Sequence, residues 1–259
     1  MRIQLLGAHL LEDKDSKMAC CLIDGVLAID AGALTSTLTF QQQLAIKGVL
    51  LTHHHWDHIR DVITLGATFY NNRTQCEVYS ISTVYEALHY LCSYPGELYT
   101  NIMERPARNP ALKFTLIEPL KPFKVQEYQV LPVAVNHSAP AVGFQITSPD
   151  GKKLFYTGDT GPGLEECWRH ISPDLLIIEN SASDRFIERA RAVKHLTPAL
   201  LKDELINFRK LKGYLPQVVT THMYPDEKEE LERKTELARL SVELNTTITV
   251  GCEGMEITL

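Results

Sequence analysis

The sequence has no apolar run near the roughly 20 residues needed to cross a bilayer, so a membrane-spanning protein is not expected. It also lacks an excess of positive charge: 26 Lys and Arg stand against 32 Asp and Glu, a formal net charge of −6. Such a balance sets up no long-range field to draw in polyanions, which removes proteins that coat nucleic acid or anionic membrane. Only six cysteines occur in 259 residues, and no two are spaced C-x-x-C. A disulfide framework is not expected at this size, and the adjacent Cys20 and Cys21 sit in an apolar run that suits buried thiols. The opening residues alternate and are cut short by Glu12, Asp13, Lys14 and Asp15, without the apolar centre of a signal peptide. These absences predict a soluble, cytoplasmic protein. No repeat, low-complexity stretch or long linker divides the chain, so one domain over residues 1–259 is expected.

What is present is a succession of short apolar segments. Residues 3–6, 19–23, 26–29, 48–51, 76–80, 129–135, 141–147, 153–156, 175–178, 218–221, 248–250 and 256–259 read as strands. Asp24-Gly25 and Pro149-Asp150-Gly151 supply hairpin turns between neighbouring strands. Apolar recurrence near 3.6 residues predicts helices over 40–46, 57–66, 83–91, 163–170, 198–211 and 227–244. Thr197-Pro198 reads as an N-cap followed by proline at the first helical position. Residues 94–120 hold four prolines and little periodicity, which predicts a long loop or lid. Two strand-rich halves with interspersed helices place the chain in the α/β class, and a sheet sandwich flanked by helices accommodates it.

Histidine carries the chemistry. Four of the ten histidines fall between positions 53 and 58, in Thr52-His53-His54-His55-Trp56-Asp57-His58, between an apolar strand and an amphipathic helix. His53 and His55, two apart on extended chain, point the same way and can reach one metal ion, while His54 points away. Asp57 and His58 open the helix, where the turning chain can aim them at a second ion. Imidazole and carboxylate without thiolate suit zinc, iron or manganese. Three further candidates each follow an apolar strand: His137, Asp159 in Thr157-Gly158-Asp159, and His222 after Val218-Val219-Thr220-Thr221. His9, His89 and His170 have no motif around them and are expected to be structural or exposed.

With these residues the chain resembles the metallo-β-lactamase-fold hydrolase superfamily over essentially its whole length. The resemblance implies an αββα sandwich of two mixed β-sheets flanked by helices. It implies two divalent ions, with Zn2+ expected and Mn2+ or Fe as alternatives. By the same resemblance His53, His55 and His137 hold the first ion, Asp57, His58 and His222 the second, and Asp159 bridges both. Asp30, in Ala28-Ile29-Asp30-Ala31-Gly32, matches a motif that supports the metal-binding loop rather than ligating. The resemblance leaves room for a homodimer.

Two ions about 3.5–4 Å apart would hold a bridging hydroxide and neutralise charge on the attacked group, chemistry shared by phosphodiester, thioester and lactone hydrolysis. The choice among them rests on His195-Leu196-Thr197-Pro198, which resembles the phosphodiesterase branch that includes RNase Z and the class II cyclic-nucleotide phosphodiesterases. That likeness assigns His195, with Asp57, to catalysis and Glu179 to fixing the tautomer of His195, beside a positive helix N-terminus at Thr197-Pro198. Trp56 departs from the smaller residue usual there, and no Gly/Pro-rich basic arm for tRNA is present. Long nucleic acid is therefore not expected, and a small anionic phosphodiester such as a cyclic nucleotide is the leading substrate. A lactonase or thioesterase, or a non-hydrolytic di-iron oxygen or redox sensor, are the alternatives. Tyr70, Tyr94, Tyr99 and Trp56 are candidates to stack on a base, and Arg105 or Arg108 to meet a phosphate.

Overall fold

Strands as uniformly apolar as Leu175-Leu176-Ile177-Ile178 need a sheet covered on both faces, because successive side chains point to opposite sides. In the computed structural model, which describes residues 1–93, 100–103 and 110–259, the strands form two seven-stranded sheets. The first half supplies β1 (Arg2–Gly7), β2 (Cys20–Ile23), β3 (Leu27–Ile29), β4 (Gly48–Leu51), β5 (Cys76–Ser80) and β6 (Leu112–Leu116). The second supplies β7 (Phe123–Val125), β8 (Tyr128–Ala134), β9 (Val142–Thr147), β10 (Lys153–Tyr156), β11 (Leu175–Glu179), β12 (Gln217–Thr221) and β13 (Ile248–Val250). The last strand, β14 (Glu256–Thr258), returns to the first sheet beside β1. The orders are β14-β1-β2-β3-β4-β5-β6 and β13-β12-β11-β10-β9-β8-β7. Both sheets are mixed: pairing is antiparallel from β14 to β3 and from β7 to β10, and parallel beyond.

Helices cover the outer faces. Against the first sheet lie α1 (Leu34–Thr37), α2 (Phe40–Ala45), α3 (Trp56–Ile59), α4 (Val62–Asn71), α5 (Ser82–Ser93) and α6 (Thr100–Met103). Against the second lie α7 (Glu165–His170), α8 (Ile187–Val193), α9 (Pro198–Lys212) and α10 (Glu227–Leu244). Alternation sorts the side chains: Ile29, Leu50, Leu175 and Ile177 pack between the sheets, whereas Ala28, Val49, Leu176 and Ile178 face the helices. The architecture is the expected αββα sandwich. Among the described residues no helix is long and apolar enough to cross a membrane. All six cysteines are free.

Two local expectations are corrected, and a third holds with a different bonding partner. The helix expected over 57–66 is two, α3 and α4, because the backbone between them turns to bond a neighbouring loop: Ala31 N donates to His58 O at 2.7 Å and Asp61 N to Ala31 O at 2.8 Å. The loop expected over 94–120 contains α6 and strand β6, which pairs in parallel with β5; residues 94–99 and 104–109 lie outside the described residues. Thr197 does occupy the N-cap of α9, with Pro198 at the first position, but its side chain makes no capping bond. Asp184, in a 3₁₀ turn over Asp184–Phe186, accepts from Ala199 N at 2.8 Å instead.

His9 has a structural task. Its Nδ1 lies 2.6 Å from Glu253 Oε1, which also accepts from Lys17 N at 2.9 Å and Ala8 N at 3.2 Å. The clamped segment in turn brackets the residue after His222, through Met223 N to Ala8 O and Leu10 N to Met223 O. Burial raises the Glu253 pKa, but the bonds from His9 and Lys17 outweigh it and the net shift is downward. A depressed carboxylate pKa contributes stability above its unfolded value, near 4.3, and that contribution is lost as pH falls through the folded value. Glu253→Gln is therefore expected to lower stability by about 1 kcal/mol at pH 7, with the difference from the parent shrinking below about pH 4. Urea unfolding at both pH values measures this, and a pH-independent difference would contradict it.

Candidate metal centre

Strands that end on one side of the sandwich deliver the chemical groups. β3 runs into Asp30, β4 into His53 and His55, β10 into Asp159, β11 ends at Glu179, and β12 runs into His222. β8 is followed by His137, and the first turn of α3 holds Asp57 and His58. Two loop residues sit in the left-handed region that few non-glycine residues adopt: Asp30 at φ 58° and His222 at φ 60°. Gly158, at φ 61°, is required twice over, since a Cβ there would come within 2.9 Å of the Thr52 side chain.

The structure brings all seven candidate ligands together in two groups that share Asp159. One is His53, His55, His137 and Asp159; the other is Asp57, His58, Asp159 and His222; within each, the ligand atoms lie within 4.8 Å of one another. Asp159 Oδ2 is 3.6 Å from His53 Nε2 and 3.8 Å from His137 Nε2. Its Oδ1 is 3.0 Å from His58 Nε2 and 3.2 Å from His222 Nε2. His137 Nε2 lies 3.2 Å from His55 Nδ1, and His222 Nε2 lies 2.9 Å from Asp57 Oδ2. His54 belongs to neither group.

Divalent cations fit this donor set. His53 Nε2, His58 Nε2 and Asp159 Oδ1 are buried and take part in no hydrogen bond. Buried polar atoms without partners are costly, and lone pairs converging from nitrogen and carboxylate oxygen are what a cation satisfies. Burial holds His53, His55 and His137 below the usual imidazole pKa, so these rings are neutral and their lone pairs available. The second group holds two carboxylates to the first group's one. Burial opposes charge on His58, yet Asp159, Asp57 and Asp30 outweigh it and push its pKa well up. Burial likewise works against the Asp57 and Asp159 carboxylates, and the surrounding histidines overcome it and hold both ionised. The His/Asp cluster thus suits a binuclear divalent metal site.

Neighbours orient these rings. Asp30 is fully buried and accepts from His58 Nδ1 at 2.7 Å, from Thr52 N at 2.9 Å and from Thr52 Oγ1 at 3.0 Å. Thr52 also stands 3.0 Å from His53 Nδ1. Lys194, at φ 58°, offers its carbonyl to His137 Nδ1 at 3.3 Å and donates Nζ to His137 O at 3.0 Å. Such contacts to the far nitrogen fix the tautomer of a ligand imidazole. Thr52, Lys194 and Ser181 drew no role from the sequence; the one signal was adjacency of Thr52 and Lys194 to His53 and His195.

His195 lies beside both groups, its ring 5.2 Å from that of His137 and stacked 5.4 Å from that of His222. Its Nδ1 is 2.7 Å from Glu179 Oε1, and Glu179 is itself buried. Burial disfavours the charged ring, but Glu179, with Asp159 and Asp57 beyond it, pushes the His195 pKa up to about 9. At the expected positive helix terminus the Asp184 carboxylate takes one N–H of the first turn of α9, that of Ala199, and offsets part of its charge. Trp56 and Tyr70 are 56% and 47% exposed, so neither is packed away from solvent. Tyr94, Tyr99, Arg105 and Arg108 lie outside the described residues.

Loading with Zn2+ is expected to raise the melting temperature, since an ion bound only by the folded chain at a thousand times its Kd adds about 4 kcal/mol. EDTA reverses the shift, and Asp159→Asn, which serves both groups, reduces it by more than half in thermal melts. An unchanged shift in Asp159→Asn would place the ions elsewhere.

Comparison with solved structures finds the same fold at low identity. Yeast PDE1 aligns with a TM-score of 0.81 at 17% identity, covering 100% of this chain and 99% of that one. The metallo-β-lactamase fold protein YhfI from Bacillus subtilis aligns at 0.77 and 14%, covering 99% of each chain. The short form of human tRNase Z aligns at 0.68 and 18%, covering 100% and 99%. At these identities the likeness speaks for the fold alone. A search of curated protein sequences gives no match. The model of the beta-lactamase superfamily domain matches residues 21–240, a span that contains every candidate ligand, and the chain belongs to that superfamily of metal-dependent hydrolases.

Proposed function

We propose that the chain is a phosphodiesterase that hydrolyses a small anionic phosphodiester, with a cyclic nucleotide as the leading substrate class. The observation that carries this reading is the His195–Glu179 ion pair, 2.7 Å long, set against the rings of both metal groups. A thioester expels a thiolate that needs no acid and a lactone passes through a singly charged oxyanion, whereas a phosphodiester combines a dianionic transition state with a departing alkoxide, which a cationic acid serves best. The structural likeness to yeast PDE1 and to human tRNase Z supports the same branch. The net charge of −6 argues for a small substrate over a long polyanion.

When bound, two divalent cations draw charge off the phosphoryl oxygens and make water a stronger nucleophile. Zn2+ is the ion we favour for this donor set. His53, His55 and His137 would hold one, Asp57, His58 and His222 the other, with Asp159 between them. Asp57 is held ionised by His58 and His222 and is partly exposed, so its carboxylate can orient the attacking water, whose proton passes to solvent. Glu179 holds His195 by Nδ1 and leaves Nε2 to carry a proton toward substrate. The bond to phosphorus forms from the water oxygen, the ester P–O bond breaks, and Nε2 protonates the leaving oxygen. A linear diester gives a phosphomonoester and an alcohol, and a cyclic nucleotide gives one molecule that carries both the phosphomonoester and the freed hydroxyl. We place this chemistry in the cytoplasm.

Assays of the metal-loaded protein on bis(p-nitrophenyl) phosphate, cyclic AMP and a lactone panel test the reading. Phosphodiester turnover is expected, and His195→Ala is expected to lower kcat by about 10²–10⁴ with two metal ions retained. Lactone turnover with no phosphodiester turnover would overturn it.

A further inference from the structure

Ser181 sits two residues beyond Glu179, is 6% exposed, and is held by its backbone from three directions. Its N–H donates to Leu196 O at 3.1 Å, and its carbonyl accepts from Tyr224 N at 3.0 Å and from the buried Arg233 Nη1 at 3.4 Å. The hydroxyl therefore has a fixed origin. It lies 2.7 Å from Glu179 Oε2, 3.2 Å from His222 Nδ1 and 3.3 Å from His195 Nδ1.

The hydrogens can be assigned by elimination. A hydroxyl has one proton and two lone pairs, and an ionised carboxylate only accepts. The Ser181 proton goes to Glu179, which leaves the oxygen's lone pairs to accept from a ring N–H. His195 Nδ1 has the shorter bond, 2.7 Å to Glu179 Oε1, and donates there. The remaining partner is His222, whose Nδ1 then carries hydrogen and whose Nε2 is left as a bare lone pair. That Nε2 is the atom facing Asp57 Oδ2 at 2.9 Å and Asp159 Oδ1 at 3.2 Å. Glu179 ties in the opposite wall, accepting from Thr160 N at 2.7 Å, next to Asp159.

We propose that Ser181 is a positioning residue: its hydroxyl fixes the tautomer and ring angle of His222 and joins that candidate ligand to the Glu179–His195 pair. The second metal position and the acid are then set by one hydrogen-bonded chain, His222–Ser181–Glu179–His195. This inference rests on the binuclear reading above, and it concerns metal affinity rather than the choice of substrate.

Zn2+ titration with chelator competition tests it on the full chain, alongside Ser181→Ala and Ser181→Thr. Ser181→Ala is expected to weaken the second Zn2+ by about 10- to 100-fold, while the first Zn2+ and the melting temperature of the metal-free protein stay at parental values. Ser181→Thr, which keeps the hydroxyl, is expected to restore the second affinity. Nitrogen-15 NMR of the imidazoles is expected to report the Nδ1–H tautomer of His222 in the parent and a mixture in Ser181→Ala. Parental affinity for both ions in Ser181→Ala would overturn the proposal and leave the binuclear reading standing. Equal weakening of both ions together with a lowered melting temperature would also overturn it, by showing a merely structural part. A parent chain that takes up fewer than two Zn2+ would overturn both.

Discussion

An ionised carboxylate gives up most of its hydration when it is buried, a loss of several kcal/mol that nearby charges must make good. Asp159 is 2% exposed and has four imidazoles within 3.8 Å of its oxygens. Its two oxygens face different groups, Oδ2 toward His53 and His137, Oδ1 toward His58 and His222. Everything else around the site answers to that one anion. The rings must be turned toward it, so Thr52, Asp30, Lys194 and Ser181 each take the far side of a ring. The backbone must deliver it without a side chain in the way, so Gly158 precedes it.

The two sheets meet at this carboxylate. The first half contributes Asp30, His53, His55, Asp57 and His58, and the second contributes His137, Asp159, Glu179, His195 and His222. Neither half holds four ligands for either group alone. A site divided in this way is assembled by the packing of Ile29 and Leu50 against Leu175 and Ile177 between the sheets. Apolar burial there fixes the distance between the polar groups above it.

Much of this was legible because each chemical group follows an apolar strand, and a strand end is where the hydrophobic pattern stops. The two-residue spacing of His53 and His55 and the αββα layering come from the same periodicity. What escaped is non-local. Leu112 and Phe114 alternate too briefly to declare β6, and its identity as a strand is decided by pairing with β5. The break between α3 and α4 is made by Ala31, about thirty residues earlier in the chain, which no helical propensity in 57–66 can report. Asp184 replaces Thr197 as the partner of the α9 first turn because a carboxylate 15 residues upstream reaches it. The hydroxyl of Ser181 meets His222 across 41 residues of sequence.

Strand β14 carries one more implication. It completes the edge of the sheet begun by β1, with Arg2 opposite Thr258 and Gln4 opposite Glu256. During synthesis the first sheet must therefore wait, with β1 open along one side, until the second sheet and α10 have been made. The Glu253 clamp on residues 8–17, which braces Met223, comes equally late. Vectorial folding from the amino end can build the layers, but the loop bearing His222 acquires its final support only when the closing strand docks.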